Sequence, residues 1–333
     1  MKTNKTTWRS RVASAVVIAV ALIMALSIVT LGSSPAKKIR VGIAQIAEHP
    51  ALDAARKGFI DGLTAAGYVE GKDIVYDVKN AQGDMSLAQT IAQKFVNDKV
   101  DLILAIATPT AQAAASATDK IPILITAVTD PVAAGLVKSI ERPGTNVTGT
   151  SDLNPVAEQM ELLLEIVPKV KRVGIVYNAG EVNSVVQVEM AEKSAKKLGL
   201  TIVKASASNT SGVFEAAQSL VGRVDAIYVP TDNTVVAALE SVVNVAEKRK
   251  IPVIAGEENS VERGCIATLG IDYYRLGRQT AKMAVEVLKG KNPAEMPVQY
   301  QKEMRLVVNL KAAQAMGVTV PQSVIKRADR VIE

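Results

Sequence analysis

The sequence predicts an α/β protein of two similar lobes, each a parallel sheet covered by helices. Two observations predict it. Short apolar runs alternate with helical patterns over most of the chain, and the first half of that alternation recurs in the second half.

The strand runs are Ile39–Ile46, Val100–Ala107, Ile121–Val128, Val173–Tyr177, Ala226–Val229 and Val253–Ala255. They are nearly continuous in apolar residues, as strands buried on both faces must be. Amphipathic helices stand between them. In Ala51–Ala66 the residues Leu52, Ala55, Phe59 and Leu63 share one face, and Gly67 stops the helix. Leu87–Asn97 carries Leu87, Ile91 and Phe95 on a stripe. Further helices are read over Asn183–Leu198, Thr234–Lys250 and Tyr273–Lys289, the last closed by Gly290.

The repeat is explicit. Arg40-Val41-Gly42-Ile43 returns as Arg172-Val173-Gly174-Ile175, and Asp101-Leu102-Ile103-Leu104 as Asp225-Ala226-Ile227-Tyr228. Lys120-Ile121-Pro122-Ile123 returns as Lys250-Ile251-Pro252-Val253. The separations are 132, 124 and 130 residues, in order and nearly constant. One such match could come from convergent strand chemistry; three in order indicate two copies of one βα unit. The first lobe is therefore placed over 37–147 and the second over 148–272, with Arg142-Pro143-Gly144-Thr145-Asn146 as connector. The C-terminal residues are shared between the lobes.

Residues 1–36 stand outside this plan. Lys2, Lys5, Arg9 and Arg11 precede an apolar run from Val12 to Leu31, and small residues follow it. This is the layout of a secretory signal peptide; the run is also long enough for an uncleaved N-terminal membrane anchor. Both readings export the remainder, to the periplasm or the outer face of a membrane.

Charge and cysteine exclude several classes. The formal net charge is +6, and the four basic residues of the leader supply most of it. No basic stripe remains for nucleic acid. Cys265 is the only cysteine, so no internal disulfide forms, and it does not follow the apolar run, so no acylated-cysteine anchor is present. It reads as a small apolar filler.

In open parallel sheets, ligands meet the loops beyond the carboxyl ends of the strands. In the first lobe these are Gln45-Ile46-Ala47-Glu48-His49-Pro50, Thr108-Pro109-Thr110 and Thr129-Asp130-Pro131. In the second they are Asn178 to Ser184, Pro230 to Thr234, and Gly256 to Asn259. All six are polar. Free N–H groups at helix starts attract a carboxylate, and Thr108 and Thr110 add hydroxyls there. Asp232 and Glu257 offer negative charge to an ammonium group. Any one of these loops could be a plain helix cap; six converging across two repeats indicate a cleft for a zwitterion. His49, the only histidine, reads equally as a ligand contact or a solvated turn residue.

Enzyme motifs are absent. No G-x-G-x-x-G follows the first strand, and neither G-x-x-x-x-G-K-[ST] nor G-x-S-x-G occurs. One histidine cannot build a His-based metal cluster or triad, and no cofactor motif is found.

Several stretches carry a family likeness. They include HPALDAARKGFIDGL (49–63), AIATPTAQAA (105–114), AVTDPVAAGLV (127–137), PGTNVTGTSD (143–152), VGIVYNAGEVNS (173–184), YVPTDNTV (228–235) and LGIDYYRLGRQTA (269–281). On these the chain resembles the periplasmic-binding-protein type I superfamily. More closely, it resembles the ABC-transporter substrate-binding family that includes the tryptophan-binding protein TrpX. The resemblance implies two Rossmann-like lobes joined by a hinge that close on their ligand like a flytrap. It implies that about 273–300 return to lobe 1 and about 301–333 to lobe 2. It implies a monomer that binds a hydrophobic or aromatic amino acid and docks on an ABC permease with its ATPase. Carried to this chain, the ligand contacts would be Gln45, Thr108, Pro109, Thr129 and Asp130 from lobe 1. From lobe 2 they would be Asn178, Glu181, Ser184, Asp232 and Glu257. Thr108 and Thr129 are expected on the carboxylate, and Asp232 with Glu257 on the amine.

A sugar binder of the same fold is the nearest alternative. Sugar sites usually stack rings on aromatic faces, and Trp8, the only tryptophan, lies in the leader. A DNA-binding regulator would need a helix-turn-helix where the leader stands. An extracytoplasmic enzyme on this scaffold would need an acid/base set that the loops do not supply.

Overall fold

The structure, a computed structural model, describes residues 37–333, of which Ile39–Glu333 form one compact unit. The leader read over 1–36 lies outside the described residues.

Two sheets organise the chain. The strands are β1 (Ile39–Gln45), β2 (Ile74–Asn80), β3 (Leu102–Ile106), β4 (Ile123–Val128) and β5 (Val147–Ser151), then β6 (Arg172–Tyr177), β7 (Thr201–Ser206), β8 (Ala226–Val229), β9 (Val253–Ala255) and β10 (Ala267–Gly270). They end with β11 (Gln299–Tyr300), β12 (Arg305–Asn309) and β13 (Arg330–Ile332). The first sheet runs β11-β5-β4-β3-β1-β2 and the second β13-β12-β10-β9-β8-β6-β7. All pairings are parallel except β10 with β12. Each sheet has its own apolar core, and the helices cover both faces.

The repeated residues do the same work in each lobe. Gly42 and Gly174 sit mid-strand in β1 and β6. A Cβ there would lie 2.6 Å from the Phe95 ring and 2.7 Å from Leu220 Cδ1, so glycine lets a helix side chain seat on the strand. The Arg40 N–H donates to Asp101 Oδ2, and the Arg172 N–H to Asp225 Oδ2, each at 2.8 Å. The Ile103 N–H bonds Pro122 O at 2.9 Å, and the Ile227 N–H bonds Pro252 O at 2.8 Å.

The division at residue 147 is corrected. Val147–Ser151 pairs in parallel with β4, so Thr148 to Ser151 belong to the first sheet, and the chain crosses only after Ser151. It crosses again between β10 and the Tyr273–Leu288 helix, and once more between β11 and β12. The Tyr273–Leu288 helix packs in the first core, whereas Ala312 and Val324 of the last two helices pack in the second.

The helix read over Thr234–Lys250 is two helices, Asn233–Ala237 and Leu239–Arg249. Ala238 leaves helical geometry at φ −116° and ψ 30°. Carboxylates pin the first short turn: Asp232 Oδ1 accepts from the Val235 N–H at 2.8 Å, and Glu181 Oε1 from the Thr234 N–H at 3.1 Å. Cys265 is buried, and that burial raises its thiol pKa.

Candidate functional site

The carboxyl ends of both sheets face one another across a cavity of about 690 Å³. Ile46, Ala47, Glu48, Met85 and Pro109 line it from the first lobe, and Asn178, Glu181, Asn209 and Asn233 from the second. Among the described residues no lysine or arginine lines it. Next to the crossing segments lies a smaller chamber of about 10 Å³, close to the space of one water molecule. His49, Asp152, Asn183, Asp232, Glu257 and Tyr273 surround it.

Backbone strain concentrates at this end of the first lobe. Ala107, after β3, has φ 80°, and Ala127, the next-to-last residue of β4, where the pairing with β5 shifts register, has φ 56°. Non-glycine residues in that region cost on the order of 1–3 kcal/mol and recur where loops are shaped for ligands. Alanine carries the smallest side chain that still bears the penalty.

The predicted carboxylates are largely engaged within the second lobe. Asp232 Oδ2 accepts from the Asn178 N–H and from Ser184 Oγ, both at 2.5 Å, while Oδ1 caps the following turn. One acceptor direction is left to it, and it lines the small chamber. Burial first, and then the charge of Glu181, raise its carboxyl to about 7. Glu181 accepts from Thr234 N–H and Oγ1, from the backbone and side-chain N–H groups of Asn233, and from the Asn178 and Asn183 amides. It is saturated, so it organises the loop although it borders the large cavity. Glu257 caps the Glu258–Glu262 helix, accepting from the Asn259 N–H at 2.6 Å and the Ser260 N–H at 2.7 Å. Burial raises its carboxyl as well.

In the first lobe, Gln45 lines neither chamber. Its amide donates to Ala47 O at 2.7 Å and Asp53 Oδ1 at 3.0 Å, and its oxygen accepts from Arg56 at 2.6 Å. Asp130 caps its own turn through the Val132 and Ala133 N–H groups. Thr129 donates to Asp152 Oδ1 at 3.0 Å. Thr108 is different: it is 1% exposed and its hydroxyl has no partner among the described residues. Pro109, beside it, borders the large cavity. Asn178 borders it too, with its amide on Thr234 Oγ1 at 2.9 Å.

His49 is buried rather than a solvated turn residue. It is 7% exposed, and among the described residues neither ring nitrogen has a partner within hydrogen-bond geometry, the Asn233 side chain being its polar neighbour. Burial, then the Arg263 charge, lowers its pKa to about 3, against a smaller opposing pull from the Asn233 side chain. Sequence reasoning did not single out Asp152 or Tyr273. Both sit where the chain crosses between lobes, and the SD step after β5 and the DYY step after β10 were the available signals.

Two duplicated lobes, three crossings and a shared cavity at the strand ends define a two-lobed solute-binding protein. The chain belongs to the ABC transporter substrate binding protein family, whose model matches residues 40–332. It is 50% identical over 273 residues to the tyrosine-binding protein of Clostridioides difficile strain R20291, covering 82% of this chain and 79% of that one. It is similar to an ABC-domain structure from Streptococcus pneumonia in complex with L-Trp, with 40% identity, TM-score 0.86, and 89% and 100% of the two chains covered. A ligand-free, open substrate-binding protein with adhesive properties from Clostridium difficile is 46% identical, with TM-score 0.67 over 88% of this chain and 99% of that one. The L-Trp complex matches better despite its lower identity, so the lobes here stand nearer its arrangement than the open one. Relatives of this kind are transport components that bind solute outside the cytoplasm, and a glucose-galactose binding protein from Geobacillus stearothermophilus, 18% identical, shares the fold.

Proposed function

We propose that the large cavity holds a free aromatic amino acid, tyrosine or tryptophan, which lobe closure delivers to an ABC permease driven by its ATPase. The observation that carries this reading is the lining itself. Ile46, Ala47, Met85 and Pro109 give the first lobe's wall apolar surface beside the polar Glu48, Asn80 and Gln82, the second lobe adds Asn178, Asn209 and Asn233, and no lysine or arginine among the described residues lines the cavity. The wall suits an aromatic side chain. The solute carboxylate is met by N–H groups at helix starts rather than by a lysine or arginine. Its ammonium meets the acidic character of the cleft, where Glu48 borders the large cavity and Asp232 the small one. The volume lies within the roughly 300–1,000 Å³ usual for small-molecule sites. The relatives that bind tyrosine and L-Trp support the ligand class.

Each lobe carries half of the site, so a solute that touches both favours the closed form. Residues 1–36 serve export, as a cleaved signal or as the tether that the missing lipid-bearing cysteine would otherwise supply.

A thermal-shift panel of the twenty amino acids, glucose and galactose tests this. A ligand at 100 times its Kd adds about 2.7 kcal/mol, worth roughly 4 °C in a chain of this size. Tyrosine or tryptophan should give the largest shift. A shift with a sugar and none with any aromatic amino acid would reject the reading.

A further inference from the structure

A buried hydrogen-bond chain joins the two lobes beside the small chamber. Tyr273 donates its hydroxyl to Asp152 Oδ2 at 2.5 Å, and Thr129 donates to Oδ1 at 3.0 Å. Gln187, on the Val182–Leu198 helix of the second lobe, donates through Nε2 to Thr129 Oγ1 at 3.4 Å. The same amide donates to Thr231 Oγ1, and its oxygen accepts from the Thr231 N–H at 3.1 Å. Gln187 is 0% exposed and Thr129 is 1% exposed.

Tyr273 and Asp152 sit on segments that cross between the lobes, Thr129 directly follows β4 of the first sheet, and Gln187 and Thr231 belong to the second lobe. The Thr129–Gln187 step is therefore the link that parting lobes must break. Its direction is set chemically. The Asp152 carboxylate takes the only hydroxyl proton of Thr129, which leaves that oxygen as an acceptor alone. A side-chain amide can answer it; a carboxylate cannot. Thr231 holds the amide at both of its ends, so little side-chain freedom is lost when the lobes meet.

We propose that Gln187 is a positioning residue for solute capture, an amide lock that engages Thr129 on closure and steadies the closed form without touching the solute. Neither Gln187 nor Thr129 lines either chamber. A ligand binds only as tightly as its competent state is populated, so an interaction made solely in that state raises affinity. This assigns Thr129 to the lock rather than to the solute carboxylate.

The inference rests on the solute-binding role and uses tyrosine as its probe. Gln187→Leu, Thr129→Val and the double variant are compared by tyrosine affinity and dissociation rate. Each single change should weaken binding by about tenfold, the worth of one net hydrogen bond in a buried site, chiefly through faster dissociation. The double variant should lose less than the sum of the two single losses, because the Thr129–Gln187 bond is removed in both while the Asp152 and Thr231 bonds are each lost only once. Residues that merely support their own lobes would give additive losses, and that result, or unchanged affinity, overturns the lock. Small-angle scattering of the solute-free proteins provides an arm that needs no ligand. If the parent chain binds tryptophan and not tyrosine, tryptophan becomes the probe; if it binds neither, the aromatic reading fails, and the lock is judged by radius of gyration alone. Gln187→Leu should then be the more expanded protein, and equal radii would reject the lock.

Discussion

Gly58 and Gly277 bring two helix backbones into direct contact. A Cβ on Gly58 would lie 2.0 Å from Tyr274 O, and a Cβ on Gly277 would lie 2.0 Å from Ala55 O. The pair seats the Tyr273–Leu288 helix, which begins at a crossing, on the Pro50–Ala65 helix, which begins at His49. The anchor of the hinge and the first strand-end loop are thus set by one close approach.

Gly277→Ala should destabilise the protein by several kcal/mol. The obstructing atoms are backbone and cannot rotate away, so the helices must separate, beyond the roughly 1–3 kcal/mol usual for overpacking. Thermal unfolding would show a fall of about 5 °C or more. An unchanged melting temperature would mean that the helices slide apart freely.

Thr108→Val should separate stability from binding. The Thr108 hydroxyl is buried and unpaired, and removing such a group relieves about 1–3 kcal/mol of desolvation. The solute-free melting point should rise, while tyrosine affinity should fall about tenfold if the hydroxyl meets the solute carboxylate. Calorimetric titration beside thermal unfolding checks both halves.

Asp232 gives the protein an acid-side preference. Its folded carboxyl titrates at about 7, above the ordinary carboxylate value near 4. The folded state therefore holds a proton that the unfolded chain has already lost. This contribution is complete below pH ~4 and fades as pH rises to about 7, by up to about 1.4 kcal/mol per pH unit. Asp232→Asn should be less stable overall, because an amide nitrogen meets N–H and O–H donors, yet flatter across that window. Denaturant unfolding at several pH values measures the slope.

His49 works in the opposite direction. Its folded value of about 3 lies below the ordinary imidazole value near 6.5, so the unfolded chain binds the proton first. The neutral ring's contribution is present above pH ~6.5 and lost as pH falls toward 3. His49→Gln should retain more stability than the parent at pH 4 relative to pH 7. A parent-like slope in the variant would show that the imidazole is not what titrates.

The strands β1, β3, β4, β6, β8 and β9 were legible because apolar runs bounded by polar loops permit few structures. The strands β2, β5, β7 and β10 to β13 were not, and β5 shows one reason. Its sequence Val147-Thr148-Gly149-Thr150-Ser151 is polar, yet all five residues are buried. Thr148 donates to Met296 O at 2.7 Å, Thr150 pairs with Thr280 at 2.7 Å, and Ser151 donates to Thr129 O at 2.7 Å. Partners that far along the chain cannot be read from local pattern, so the lobe boundary was set too early. The same limit split the Thr234–Lys250 helix, whose first turn answers to Glu181 more than fifty residues away.

The sequence by itself determined the duplication, the two α/β lobes and the six strand-end loops, because strand burial and repeated Arg, Gly, Asp and Pro positions are local properties. Tertiary structure alone decided which polar atoms in those loops are free. It engages the amide of Gln45 within its own loop, saturates Glu181, fills most of Asp232, and leaves Thr108 and His49 unpaired. The physical reason is that a buried carboxylate or amide must satisfy its hydrogen bonds with whatever the fold brings near. Residue type states what a side chain can bind, and only its neighbours determine what remains for a solute.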